Sequence, residues 1–214
     1  EIQKALSEFT GEPISLYKQG IEKLITIRKN LKAKKKTTKV FLENNIKSLA
    51  RVHRIEDGKI IRYEIKFNIK AIVKDYNNDM AYIDGKGTGI HARTSKQKGE
   101  VFKNINREEF KKFIKNNGGV AKYIEFIYLH EIGHIVNKDH DRTIPKTPDG
   151  KIDYMHPNEI AVEIRANEYA FKTIGYKPTR IATETQETEV ATDKTWTWNI
   201  LKELLVTEEL DFIH

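Results

Sequence analysis

The chain has 214 residues, a net charge of +7, 38% hydrophobic and 32% charged residues, and no cysteine. The length fits one domain, or one domain with a small attachment, and is enough to bury a core without covalent staples. Absence of cysteine excludes disulfides, cysteine zinc knuckles and thiol catalysis. No apolar run reaches the roughly 18 residues of a membrane helix, so no membrane span is expected. The first residues, Glu1-Ile2-Gln3-Lys4, are polar and no apolar stretch follows them, so no signal peptide is visible. A cytoplasmic protein, or one delivered or secreted as a processed fragment, is the expectation.

Charge is unevenly spread. Residues 1–54 hold 13 Lys/Arg against 5 Asp/Glu, with the densest run at Lys32-Ala33-Lys34-Lys35-Lys36. Such a run suits nucleic acid or another polyanion. It equally suits a solvated helix end, where cations complement the helix dipole, and it lacks the interleaved aromatics that stack on bases. Residues 1–39 are therefore expected as a basic helical N-terminal segment, and residues 40–214 as the main domain.

Within the first segment, Ile14, Leu16, Ile21, Leu24, Ile25, Ile27 and Leu31 recur at helical spacing, predicting a helix over 14–33. Val40-Phe41-Leu42 reads as a strand. Ile60 to Phe67 alternates, with Glu56-Asp57-Gly58-Lys59 before it as a hairpin turn. Ile69 to Val73 suggests a further strand. Gly85-Lys86-Gly87-Thr88-Gly89 is a loop. It lacks the Lys-Ser/Thr ending and the following helix of a phosphate loop.

The second half reads as helical. A helix over 107–117 is capped by Asn106, with Glu108 and Glu109 in its first turn. A strongly apolar helix spans about 121–136. A Pro/Asp/Gly-rich loop covers 141–157. Another helix starts with Asn158 as cap and stops near Gly175. Thr183 to Thr192 reads as a loop and about 196–206 as a last helix. The fold class expected is α+β: a small antiparallel sheet followed by a helical half.

The chemistry concentrates in His130-Glu131-Ile132-Gly133-His134. Residues four apart share a helix face, so both imidazoles can reach one zinc ion at about 2.0–2.1 Å. Glu131 then lies beside the metal, placed to accept a proton and hand it to a leaving amine. Gly133 leaves room for another backbone. Composition alone would produce His-Glu-x-x-His in about one chain of this length in a hundred. Burying two His and a Glu in so apolar a helix costs several kcal/mol unless something compensates, as a metal would.

This motif resembles the zincin metallopeptidases. Two branches compete for the third ligand. Read through to His140-Asp141, the segment resembles the metzincin pattern, with Asn137 in place of the usual glycine that takes the chain out of the helix in a left-handed conformation. Tyr154-Met155-His156-Pro157 would then be the Met-turn beneath the metal. Alternatively, Glu163-Ile164-Arg165-Ala166-Asn167-Glu168-Tyr169-Ala170 resembles the glutamate helix of gluzincins, including the ImmA/IrrE-like peptidases. That likeness implies Glu163 as third ligand and Asn167 as the residue that orients a ligating histidine. Ala166 and Ala170 would let this helix pack closely on the motif helix. The glutamate branch is preferred, with His140 as the alternative ligand.

The resemblance further implies a sheet edge that binds extended peptide by strand addition, at 89–94 or 80–83. It also implies a transition-state donor among Tyr154, His156 and Tyr169. The expected activity is zinc-dependent hydrolysis of a protein or peptide substrate. The competing reading is a zinc-stabilised DNA-binding, regulatory or virion-assembly protein on a zincin fold.

Overall fold

The computed structural model describes residues 14–33, 38–87 and 92–181. In chain order these form α1 (Ile14–Ala33), β1 (Thr38–Leu42), β2 (Ala50–Asp57), β3 (Ile60–Phe67), α2 (Ile69–Asn77), α3 (Ala92–Val101), α4 (Arg107–Asn116), α5 (Val120–Val136), a short 3-10 turn (Asp139–Asp141) and α6 (Pro157–Ile174). The class is α+β, with the sheet in the N-terminal half.

The sheet has the order β1-β3-β2. β2 and β3 form an antiparallel hairpin closing at Asp57↔Ile60, and Gly58 adopts the positive φ that such a two-residue turn needs. β1 runs parallel to β3, so the sheet is mixed and not antiparallel as expected. The β1-β2 link carries the chain across the hairpin to the far side of β3. Alternation of side chains reports the faces of a strand but not its direction, which is why the sequence pattern missed this.

Residues 69–77 form a helix where a strand was expected. Asn68 caps it, its side chain accepting from the N–H of Ala71 at 2.9 Å, and Ile69, Ile72 and Val73 are buried. The spacing i, i+3, i+4 is helical. The apparent strand signal came from β-branched residues filling that one face.

α5 runs through the centre. α1 crosses it at Gly20, where an added Cβ would come within 3.0 Å of Ile124 Cδ1. Tyr17, Ile21, Leu24 and Ile27 of α1 are buried in the same core as Tyr123, Ile124 and Ile127 of α5. The described helix of the basic segment is thus built into the domain. The run 34–36 lies outside the described residues, as do the expected loop at 183–192 and helix at 196–206.

On the opposite flank Phe102, Phe110, Phe126, Phe171 and Tyr176 pack edge-on and offset, with centroids as close as 4.9 Å for Phe110–Phe126. This cluster joins α3, α4, α5 and α6. α4 carries the expected cap: the Asn106 side chain accepts from the N–H of Glu109 at 3.3 Å. α6 is capped two residues earlier than expected, by His156, with Pro157 in its first turn. It ends at Gly175 in the left-handed conformation, where the Tyr176 N–H reaches the Phe171 carbonyl at 2.9 Å. Among the described residues no helix is long and apolar enough to cross a membrane.

Candidate metal centre

The site forms where α5 and α6 touch most closely. A Cβ on Gly133 would lie 2.9 Å from Ala166 Cα and 3.0 Å from its carbonyl oxygen. The glycine and the small face of α6 therefore do what their sequence suggests. This close crossing brings Glu163, three residues before Ala166, over the two histidines four residues apart on α5.

His130 Nε2 and His134 Nε2 are 3.1 Å apart. Glu163 Oε2 is 3.2 Å from the first and Oε1 is 3.5 Å from the second. Two ligand atoms on a tetrahedral ion with bonds of about 2.05 Å would sit about 3.3 Å apart. The three side chains thus already hold the spacing of one metal's ligands.

The orienting hydrogen bonds decide what these atoms can be. His130 Nδ1 is 2.8 Å from Asn167 Oδ1, an acceptor. His134 Nδ1 is 2.9 Å from Asp139 Oδ2, also an acceptor. Each neutral ring must therefore carry its proton on Nδ1. Both Nε2 lone pairs then face one another and the Glu163 carboxylate. With both rings neutral, two acceptors at 3.1 Å cannot hydrogen-bond each other, so a positive charge, whether a metal, an ammonium or a proton on His134, belongs among them. The donor set, two imidazoles and one carboxylate, fits a divalent metal with open positions.

Lys98 supplies a cation on one side. It reaches from α3 so that its ammonium lies 3.0 Å from His130 Nε2 and pairs with Glu163. α3 is fixed by close packing and polar bonds more than by apolar contact. A Cβ on Gly99 would lie 2.9 Å from Gly85 Cα. Ser95 Oγ accepts from the Gly87 N–H at 2.7 Å and donates to the Tyr82 carbonyl at 3.1 Å. Arg107 donates to the Phe102 carbonyl at 3.2 Å, to the Asp84 carbonyl at 3.3 Å and to the Gly99 carbonyl.

Burial, and then the Lys98 charge, push His130 down to about 4. That keeps its lone pair free at neutral pH. Burial also opposes protonation of His134, but the bond to Asp139 and the carboxylates Glu163 and Glu131 outweigh it and raise the ring above its ordinary value. Burial alone would raise Glu163; Lys98 and the two histidines overcome it and hold the carboxyl well below its usual range. Burial lifts Glu131 to about 6. Glu131 sits in the cleft wall beside the histidines, and Val52 of β2 lines the same wall.

The sheet supplies the edge over the cleft. Asn68 N–H donates to the Leu49 carbonyl, so 49 and 68 form a hydrogen-bonded pair across β2 and β3. Alternation then turns the polar backbone groups of Ala50, Val52 and Arg54 outward. β2 is one of the sheet's two edge strands, and residues 47–52 line the cleft. The edge expected at 80–83 or 89–94 is not there: 80–83 is a series of turns and 92–101 is α3, while 88–91 lie outside the described residues.

His140 does not join the His130–His134–Glu163 group. It lines the cleft with its ring 5.8 Å from that of Tyr63. The chain leaves α5 through Lys138, the residue with left-handed backbone, while Asn137 stays right-handed at the cap. The exit expected at Asn137 thus comes one residue later. It swings Asp139 back under His134, and Arg165 holds the second oxygen of Asp139 at 3.3 Å. Met155 is 39% exposed and not a floor beneath the site. Of the three donor candidates, Tyr154 lines the cleft, and His156 is spent as the cap of α6.

Sequence reasoning missed Asp139 and Lys98. Asp139 was visible as an acid five residues after His134. Lys98 lies in a segment whose buried members include Ser95 and Gln97, so no apolar periodicity marked it as a helix. The cleft as a whole encloses about 520 Å³ between β2, α3, α5 and α6. No family model, curated protein or solved structure matches the chain.

Proposed function

We propose that the chain is a zinc-dependent metalloendopeptidase, a hydrolase of zincin type with a glutamate as third ligand. The observation that carries this reading is the convergence of His130 Nε2, His134 Nε2 and a Glu163 carboxylate at tetrahedral spacing, with Glu131 in the wall beside them. His130, His134 and Glu163 would hold the ion; Asn167 and Asp139 fix the two rings. Zinc, when bound, supplies a Lewis acid that polarises a carbonyl and makes water acidic enough to ionise near neutral pH.

The chain's own residues do the rest. The outward backbone groups of Ala50, Val52 and Arg54 receive an extended peptide as an added strand and lay it across the cleft. Glu131, with its proton affinity raised by burial to about 6, is tuned to take a proton from the attacking water and deliver it to the departing amine. Tyr154, in the cleft lining, is the donor candidate this reading takes for the oxygen that gains charge.

The DNA-binding reading took the basic segment as the functional surface. Its helix α1 instead contributes Tyr17, Ile21, Leu24 and Ile27 to the core, so removing residues 1–39 would damage the fold itself.

The test is cleavage of a degenerate peptide library by the zinc-loaded protein and by Glu131→Gln. The reading expects metal content to be equal and turnover in the variant to fall by about 10²–10⁴-fold. Equal turnover would contradict it.

A further inference from the structure

Lys98 has a place in the site that metal binding alone does not explain. Its side chain is only 14% exposed, and its ion-pair partner among the described residues is Glu163, the proposed third ligand. The other carboxylates of the cleft are committed elsewhere. Asp139 bonds His134 and Arg165. Glu131 is the proposed base, whose carboxylate has to face the attacking water. Once Glu163 gives its electron pairs to a dication, Lys98 is left as a largely buried ammonium without a carboxylate of its own. A buried cation in that position is costly unless an anion reaches it.

Among the described residues the cleft is lined by no carboxylate beyond Glu131, Asp139 and Glu163, so such an anion would enter through its open side. Lys98 is borne on α3, across the cleft from the β2 edge. Its four-carbon stem lets the ammonium swing by a few ångströms without moving the helix. The β2 rim adds two more exposed cations, Lys47 and Arg51. Arg51 is only weakly held, at 3.5 Å from Glu43, which Lys66 approaches more closely at 2.7 Å.

We propose that Lys98 makes this site select peptides that carry a carboxylate beside the bond to be cut. The inference rests on the metallopeptidase reading above and names its substrate class: an acidic segment, laid along β2, with one side-chain carboxylate paired to Lys98. A neutral amide in that place leaves the ammonium unpaired, so Glu is favoured over Gln at that position. The rim cations strengthen capture of the acidic strand without choosing the position.

Two degenerate ten-residue peptide libraries, identical except for a fixed central Glu or Gln, test this by fluorescence anisotropy. The zinc-loaded Glu131→Gln protein serves as a non-cleaving trap. The expected result is at least tenfold tighter binding of the Glu library, lost in Glu131→Gln/Lys98→Met and largely retained in Glu131→Gln/Lys98→Arg, with zinc content unchanged in all three. Equal binding of the two libraries, or a Glu preference that survives Lys98→Met, overturns the proposal. So does a protein that takes up zinc only after Lys98 is replaced, because the lysine would then be a competitor for the metal. Cleavage by wild type separates the two claims. Cleavage of both libraries at equal rates keeps the peptidase and removes the selectivity. Tight binding of the Glu library with no cleavage of either keeps the anion site and removes the peptidase.

Discussion

Replacing Gly133 by alanine puts the account under a test of sign. Alanine in a helix interior normally stabilises by about 1 kcal/mol relative to glycine. Here the new Cβ would stand 2.9 Å from Ala166 Cα and 3.0 Å from Ala166 O, both backbone atoms that cannot rotate away. Ordinary carbon contacts begin at about 3.5 Å, so α6 must retreat by roughly 0.6 Å. Overpacking of this kind costs about 1–3 kcal/mol. The balance is a net loss of up to about 2 kcal/mol, or a fall in Tm of about 4–8 °C for a domain of this size. The retreat also carries Glu163 away from His130 and His134, so zinc affinity should fall with stability. Thermal unfolding with and without zinc, together with chelator competition, measures both. A Gly133→Ala protein as stable as wild type or more so, with unchanged zinc affinity, would refute the close crossing and the site built on it.

Asn167→Ala removes the acceptor on His130 Nδ1 and should weaken zinc binding by about 10–100-fold while leaving most of the fold intact; chelator competition reads it. Asp75 gives a pH prediction away from the metal. Burial raises its carboxyl from 3.8 to about 6, although the Tyr82 N–H and Tyr123 hydroxyl donate to it. Between those values the folded protein holds a proton that the unfolded chain has released. Its stabilisation is therefore complete below about 3.8 and is lost as pH rises through about 6, a change of about 3 kcal/mol. Asp75→Asn should flatten the rise in stability on acidification across that window in urea titrations; an unchanged slope would show that Asp75 is not its source.

Much of the candidate site was readable because it depends on local spacing. His130 and His134 are one turn apart by sequence alone, and Gly133, Ala166 and Ala170 announce a close helix crossing. Glu163 and Asn167 lie four apart on one face of α6, so one reaches the metal position while the other reaches back to His130. What could not be read depends on where distant segments land. The parallel direction of β1 and the choice of β2 as the cleft edge follow from chain crossing, which no residue pattern records. Helix α3 is built on Ser95, Gln97 and the Gly85–Gly99 contact, so its polar sequence carried no apolar periodicity and concealed Lys98. Helix α2 shows the opposite error: its apolar face was visible, but Ile and Val drew it toward a strand.

Zinc per chain, measured by elemental mass spectrometry on purified wild type, Glu163→Ala and His140→Ala, tests the central claim most directly. The account predicts close to one zinc in wild type and in His140→Ala, and a loss in Glu163→Ala. Loss in His140→Ala with zinc retained in Glu163→Ala would contradict it, as would a wild-type protein that binds no zinc after dialysis against the ion.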